Sequence, residues 1–157
     1  DAYHITSPDP DGSGAADAMQ KALNDACLKA EDIDYLNLHG TGTRLNDSME
    51  AKAVEKVFGN HRLLCSSTKS ETGHTLGAAG ALEAAVCWKL IQESAEGSAK
   101  VPLQAWDGER DTELPDLNFA CGNAVTKVRV KNCMSNSFAF GGSNTVLILS
   151  AEDSYAV

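Results

Sequence analysis

The sequence predicts an α/β fold, a mixed sheet with flanking helices, on three observations. Short apolar runs of strand length, at residues 33–38, 63–67 and 145–149, alternate with stretches of helical periodicity. The two earlier runs each lead into a glycine-rich passage holding one histidine: His39-Gly40-Thr41-Gly42-Thr43 and Lys69-Ser70-Glu71-Thr72-Gly73-His74. A chain of 157 residues, 43% hydrophobic and 22% charged, is long and apolar enough for one domain with its own core.

Along the chain, Ser7-Pro8-Asp9-Pro10-Asp11-Gly12 has the chemistry of a loop. Ala15, Ala18, Met19, Ala22, Leu23 and Ala26 then recur at helical spacing and predict a helix over residues 14–28. Residues 33–38 read as a buried strand that ends at His39. Asp47 and Glu50 stand in capping-box register ahead of Val54, Val57 and Phe58, so both are expected to start a helix, which Gly59-Asn60 stops. A second strand over residues 63–67 leads to the loop at residues 69–74. The next helix opens with Leu76-Gly77-Ala78-Ala79-Gly80-Ala81. Each glycine there costs about 1 kcal/mol relative to alanine, so this helix is expected to be buried and closely packed. Residues 93–118, around Trp106, predict an irregular surface excursion. Val125, Val128 and Val130 alternate with Lys127, Arg129 and Lys131 as a half-exposed strand, and residues 145–149 form another. Residues 136–144, with Phe138 and Phe140, read as a third glycine-rich loop between them. The early strands, joined through a helix, are expected to be parallel and the last pair antiparallel, with all three loops at one end of the sheet.

The net charge of −9 argues against nucleic acid as a partner, and the chain has no run of about 18 apolar residues to span a bilayer. A local basic cluster (Arg44, Lys52, Lys56) is where an acidic protein would dock. The first residue is Asp1, which predicts a piece cut from a longer protein. Cys27, Cys65, Cys87, Cys121 and Cys133 show no metal-ligand spacing and read as reduced thiols of a cytoplasmic protein. None stands in a sharp turn before a helix, so packing accounts for all five.

An imidazole in a loop beside a helix N-terminus and an ammonium resists taking a second positive charge. His74 has Lys69 upstream and the helix from Leu76 downstream. A neutral imidazole donates an N–H to a developing oxyanion without surrendering its proton. Two such donors suit an enolate better than they suit activation of a hydroxyl, and no serine here has a nucleophile-elbow setting. The expected chemistry is carbanion or enolate stabilisation by a chain without a nucleophile of its own.

Asp1-Ala2-Tyr3-His4-Ile5-Thr6-Ser7-Pro8, the two histidine passages, Gly77-Ala78-Ala79-Gly80-Ala81-Leu82-Glu83 and Ser135-Asn136-Ser137-Phe138-Ala139-Phe140-Gly141-Gly142-Ser143-Asn144 resemble the C-terminal half of the β-ketoacyl-acyl-carrier-protein synthases. The resemblance runs from Asp1 to about Leu149, with residues 1–150 as the domain and 151–157 as a tail. It implies a thiolase-like half-domain and a decarboxylative Claisen condensation: malonyl-carrier protein loses CO2 and the carbanion attacks an acyl thioester held on a cysteine. His39 and His74 match the family's catalytic histidines, Lys69 the lysine that organises the site, and Glu83 its helix carboxylate. Thr41, Thr43 and Thr6 match positions that bind the phosphopantetheine arm, and Phe138 and Phe140 lie in the segment beside the acyl pocket, Phe140 matching a gating phenylalanine. Asn37, Glu83, Ser135 and Asn136 match positions that hold a monovalent cation in some members. The implied partners are acyl carrier protein, acyl and malonyl thioesters, the N-terminal half and a second copy, with no organic cofactor of the chain's own, phosphopantetheine arriving on the carrier protein. The cysteine belongs to the N-terminal half, so this segment alone is expected to be inactive. A first strand preceding Asp1 is expected centrally in the sheet. The alternative is a non-catalytic chain-length factor paired with a synthase. A thiolase fits less well, because Cys121-Gly122 reads as loop rather than as a strand-end cysteine.

Overall fold

The computed structural model describes residues 3–97, 99–122 and 129–152. Its spine is a five-stranded sheet of order β3-β2-β1-β4-β5, formed by β1 (Tyr35–Asn37), β2 (Leu64–Ser66), β3 (Asn118–Phe119), β4 (Asn132–Ala139) and β5 (Ser143–Ser150). β1 pairs in parallel with β2 and β4, and β4 pairs antiparallel with β5. Both chain-direction expectations hold. A central strand preceding Asp1 does not fit, because β1 is hydrogen-bonded to a neighbour on each side.

Helix α1 (Ser13–Asp25) and α2 (Arg44–Phe58) cover one face of the sheet. Ala15, Met19 and Leu23 of α1 meet Met49, Ala53, Val54 and Phe58 of α2 over Leu36, Cys65, Met134 and Phe138. Gly12 caps α1 in the left-handed region at φ +69°, where a Cβ would stand 2.5 Å from the Met49 carbonyl oxygen. Only glycine admits that approach of the two helices. Helix α4 (Ala79–Ala95) covers the other face and buries Ala79, Glu83, Cys87, Leu90 and Ile91, a single stripe at spacings of three, four and one. Cys87, Leu90 and Ile91 join Tyr35, Val130 and Cys133 in a second core cluster.

Several elements differ from expectation. Helix α1 stops at Asp25, three residues short of the predicted end. The residues after Lys69 begin as one helical turn, α3 (Lys69–Thr72), and a 3₁₀ turn over Leu76–Ala78 precedes α4. Helix α4 is packed on one side only: Leu82 and Trp88 on its outer face are exposed, and Gly77 touches nothing, so one glycine alone, Gly80 against Ser137, marks a close approach. Of the predicted half-exposed strand, Val125, Lys127 and Val128 lie outside the described residues. The observed strand β4 begins later, at Asn132, lies between β1 and β5, and buries five of its eight residues. β4 and β5 together take up six of the nine residues of the predicted third loop, which shrinks to a turn at Phe140–Gly142. The predicted excursion holds: among the described residues, no helix or strand lies between Ala95 and Asn118. Of the tail, residues 153–157 lie outside the described residues. Among those described, no helix is long and apolar enough to cross a membrane.

Candidate functional site

The two histidine passages meet where β1 and β2 end side by side. Parallel pairing with Tyr35 opposite Leu64 and Asn37 opposite Ser66 brings both loops to the same end of the sheet. There the His39 and His74 rings stand edge to face, their centroids 5.4 Å apart. Phe138, at the same end of β4, sets its ring 5.7 Å from His39. A cavity of about 770 Å³ opens beside them, lined by His39, His74, Thr6, Thr41, Thr43, Phe138 and Phe140 among others. Every residue expected to bind substrate therefore borders one space. Thr41 and Thr43 share a hydroxyl hydrogen bond of 2.9 Å, and the Thr6 backbone N–H donates to His4 Nδ1. Phe138 is core, whereas Phe140 is 80% exposed at the mouth, which removes core packing as its role.

The electrostatics keep His39 neutral. Burial first, then the Lys69 ammonium and His74, lower its pKa to about 4. The helix N-terminus expected beside His74 is absent, because the turn after His74 is 3₁₀ and α4 starts only at Ala79. His74 is exposed toward the cavity, and its Nδ1 accepts the Leu76 backbone N–H at 3.2 Å. In the neutral ring that bond leaves the proton on Nε2, ready to be donated. Lys69 and Glu83 form an ion pair whose side chains are 5% and 2% exposed. Burial raises the Glu83 pKa and the Lys69 bond lowers it in part.

Glu50 is the functional residue that sequence reasoning missed. It does not cap α2: the helix begins at Arg44, with Thr43 as its N-cap and no side-chain capping bond, and Glu50 is 2% exposed. Its Oε1 accepts the His39 N–H at 2.8 Å and the Asn136 Nδ2 at 3.0 Å, while Oε2 accepts the Gly40 N–H at 2.8 Å and the Asn46 Nδ2 at 3.4 Å. Burial pushes its pKa upward. All four partners are N–H donors, however, and a protonated carboxyl would find no acceptor among them, so the geometry matches the ionised form. The available signal was a glutamate six positions into a helix, whose next apolar neighbours put it on the buried stripe.

The suggested cation ligands divide between two sides of the sheet. Asn37 and Ser135 are register partners on adjacent strands. Helix α4 passes over the same face, with Gly80 against Ser137 and the Cys87 carbonyl beside Cys133, which places Glu83 above Ser135. Asn37 Oδ1, Glu83 Oε2 and Ser135 Oγ are all buried without a hydrogen-bond partner. Three unsatisfied oxygens, one from a carboxylate, fit a hard monovalent cation. The Asn136 side chain points to the opposite face, toward Glu50 and Met19, and does not join them. Among the described residues, no three His, Cys, Asp or Glu side chains cluster as a metal site. All five cysteines are free thiols, and burial raises the pKa of Cys65. Of the basic cluster, Lys52 and Lys56 donate to the Pro10 carbonyl and the Ser13 hydroxyl.

Two imidazoles converge beside a buried lysine at the strand ends of this mixed α/β sheet. Residues 1–96 match the family model described as Beta-ketoacyl synthase, C-terminal domain, and the chain belongs to that family. It is 43% identical over 152 residues to a 3-oxoacyl-[acyl-carrier-protein] synthase 2 of Coxiella burnetii, covering 96% of this chain and 35% of that protein. It is 46% identical over 149 residues to Nodulation protein E of Rhizobium meliloti, covering 94% and 35%. Among solved structures, a ketosynthase in complex with its chain length factor from Xenorhabdus doucetiae superposes with a TM-score of 0.87 at 44% identity, over 97% of this chain and 37% of that one. A beta-ketoacyl synthase from Burkholderia phymatum gives 0.80 at 40% identity, over 98% and 35%. The chain thus spans about a third of the length of these relatives.

Proposed function

We propose that this chain is the C-terminal half of a 3-oxoacyl-carrier-protein synthase that condenses an acyl thioester with malonyl-carrier protein. The observation that carries the reading is the convergence of His39 and His74 on one cavity beside buried Lys69. The malonyl thioester enters past Thr41 and Thr43, whose hydroxyls suit the amides of a phosphopantetheine arm, with Thr6 on the same wall. As the C–CO2 bond breaks, its electron pair moves toward the thioester carbonyl, and N–H donors at His39 and His74 stabilise the enolate oxygen. Neutrality of His39 matters here, because an imidazolium would protonate the carbanion before it attacked. Burial, with Lys69 second, keeps His39 uncharged, and Lys69 is itself held by Glu83. The enolate then attacks the acyl group carried on a cysteine of the N-terminal half, and the cysteine thiolate leaves. Phe140, exposed at the mouth, borders the acyl chain. Asn37, Glu83 and Ser135 would hold a monovalent cation, which supplies a fixed charge behind Lys69.

The free thiols suit the cytoplasm, and the reading takes acyl carrier protein and a second copy of the enzyme as partners. One solved relative is described as a ketosynthase in complex with its acyl-carrier protein, which supports the first of these. A chain-length factor has less need of two histidines that share one cavity with an ion-paired lysine behind them. The test uses the full-length protein with its N-terminal half. His39→Ala and His74→Ala should each keep acylation of the cysteine and lose malonyl decarboxylation by about 10²–10³, the usual effect of one oxyanion donor. Normal CO2 release by either variant refutes the assignment.

A further inference from the structure

The parallel ladder between β1 and β2 has its last rung at the Leu38 N–H, which donates to the Ser66 carbonyl at 2.9 Å. Beyond it the two strands become the His39 turn and the Lys69 turn, and a side chain takes over the joining. The Ser67 hydroxyl donates to the Gly40 carbonyl at 2.7 Å and accepts the Lys69 N–H at 3.3 Å. Gly40 lies so close that a Cβ there, at φ +37°, would stand 2.5 Å from the Ser67 Cβ. The Ser67 backbone N–H is left without a ladder partner, and the Gln104 Oε1 accepts it at 2.8 Å.

Gln104 comes from the irregular excursion, which is stitched to β2 along its length. The Ser66 hydroxyl donates to the Pro102 carbonyl at 2.7 Å, the Ala120 N–H to the Cys65 carbonyl at 2.8 Å, and the Gln104 N–H to the Ala120 carbonyl at 2.8 Å. Of these contacts, only the Gln104 carboxamide reaches past the end of the strand. Its oxygen alone faces Ser67, while its Nε2 turns back to the Ala105 carbonyl at 3.3 Å.

We infer that Gln104 and Ser67 are positioning residues, a latch through which residues 99–120 set the spacing between the His39 turn and the Lys69 turn. The latch rests on the decarboxylation proposed above. It acts through two bonds in series: the Gln104 oxygen fixes the Ser67 peptide, and the fixed Ser67 hydroxyl holds Gly40, next to His39. An edge-to-face pair 5.4 Å apart tolerates little slack if both rings are to reach one oxygen.

The test compares Ser67→Ala, Gln104→Leu and Gln104→Glu in the full-length enzyme. Leucine keeps the bulk of Gln104 and removes the acceptor, whereas glutamate keeps the acceptor. Gln104→Leu, which loses its one bond to Ser67, should lower kcat for CO2 release from malonyl-carrier protein about five- to tenfold, and Ser67→Ala, which loses the bonds to Gly40 and Lys69, at least as much. KM and cysteine acylation should stay within about twofold, and Gln104→Glu should match the parent. A fall in Gln104→Glu as large as in Gln104→Leu overturns the latch. So does a parallel loss of acylation and CO2 release that follows the melting temperature. His39→Ala, run alongside, separates the two levels. If it releases CO2 normally, the proposed function fails and the latch with it. If it is inactive while Ser67→Ala and Gln104→Leu are unimpaired, the latch alone fails.

Discussion

Glu50→Gln is the sharpest probe of how the His39 turn is held. The substitution keeps shape and volume but turns one carboxylate oxygen into an NH2 group. Each oxygen of Glu50 faces two N–H donors, so the new amide nitrogen must confront either the pair from Gly40 and Asn46 or the pair from His39 and Asn136. Both bonds on that side are lost. A hydrogen bond to a charged acceptor contributes about 1.5–3 kcal/mol, and relief from burying a charge returns part of the loss. The His39 turn should therefore open more easily by about 2–4 kcal/mol, or roughly 30- to 900-fold in the opening equilibrium. Amide hydrogen exchange at residues 39 and 40 of the full-length enzyme reads that change directly, because it reports local rather than global opening. Exchange within about threefold of the parent at both amides would show that Glu50 only fills space, and the reasoning would be wrong.

Other consequences follow from the same geometry. With His39 titrating at about 4, it is uncharged above that pH, so CO2 release should hold down to about pH 5 and fall only as the imidazolium forms below it. An acid limb near the ordinary histidine value would contradict this. Lys69→Met removes a positive charge that lowers the His39 pKa, so its residual CO2 release should show the acid limb displaced upward. Leaving Glu83 buried and unpaired should also cost about 3–5 kcal/mol in unfolding measurements, while the double variant Lys69→Met, Glu83→Leu should recover most of the stability and none of the activity. Gly40→Ala places a Cβ on Ser67 in a left-handed turn, so it should abolish CO2 release and lower the melting temperature more than Gly42→Ala, where a Cβ meets nothing.

The local features of this chain were legible from residue order. Helical periodicity located α1, α2 and α4, apolar runs located β1 and β2, and glycine beside histidine marked both site loops. Strand ends are where an α/β sheet presents side chains, so that local pattern already implied convergence of His39 and His74. What residue order left undecided depended on contacts between distant segments. Glu50 has capping-box spacing from Asp47, yet burial between α2 and the sheet made it the acceptor for the His39 and Gly40 amides. Strand β4 carries asparagines and serines that read as loop, because a strand beside a polar site buries hydrogen-bonding side chains in place of an apolar alternation. Period-two alternation then sent Ser135 toward Glu83 and Asn136 toward Glu50, dividing two adjacent residues between separate tasks. Spacing of three or four residues records which face of a helix is apolar, but the partner across that face is chosen only when the sheet assembles.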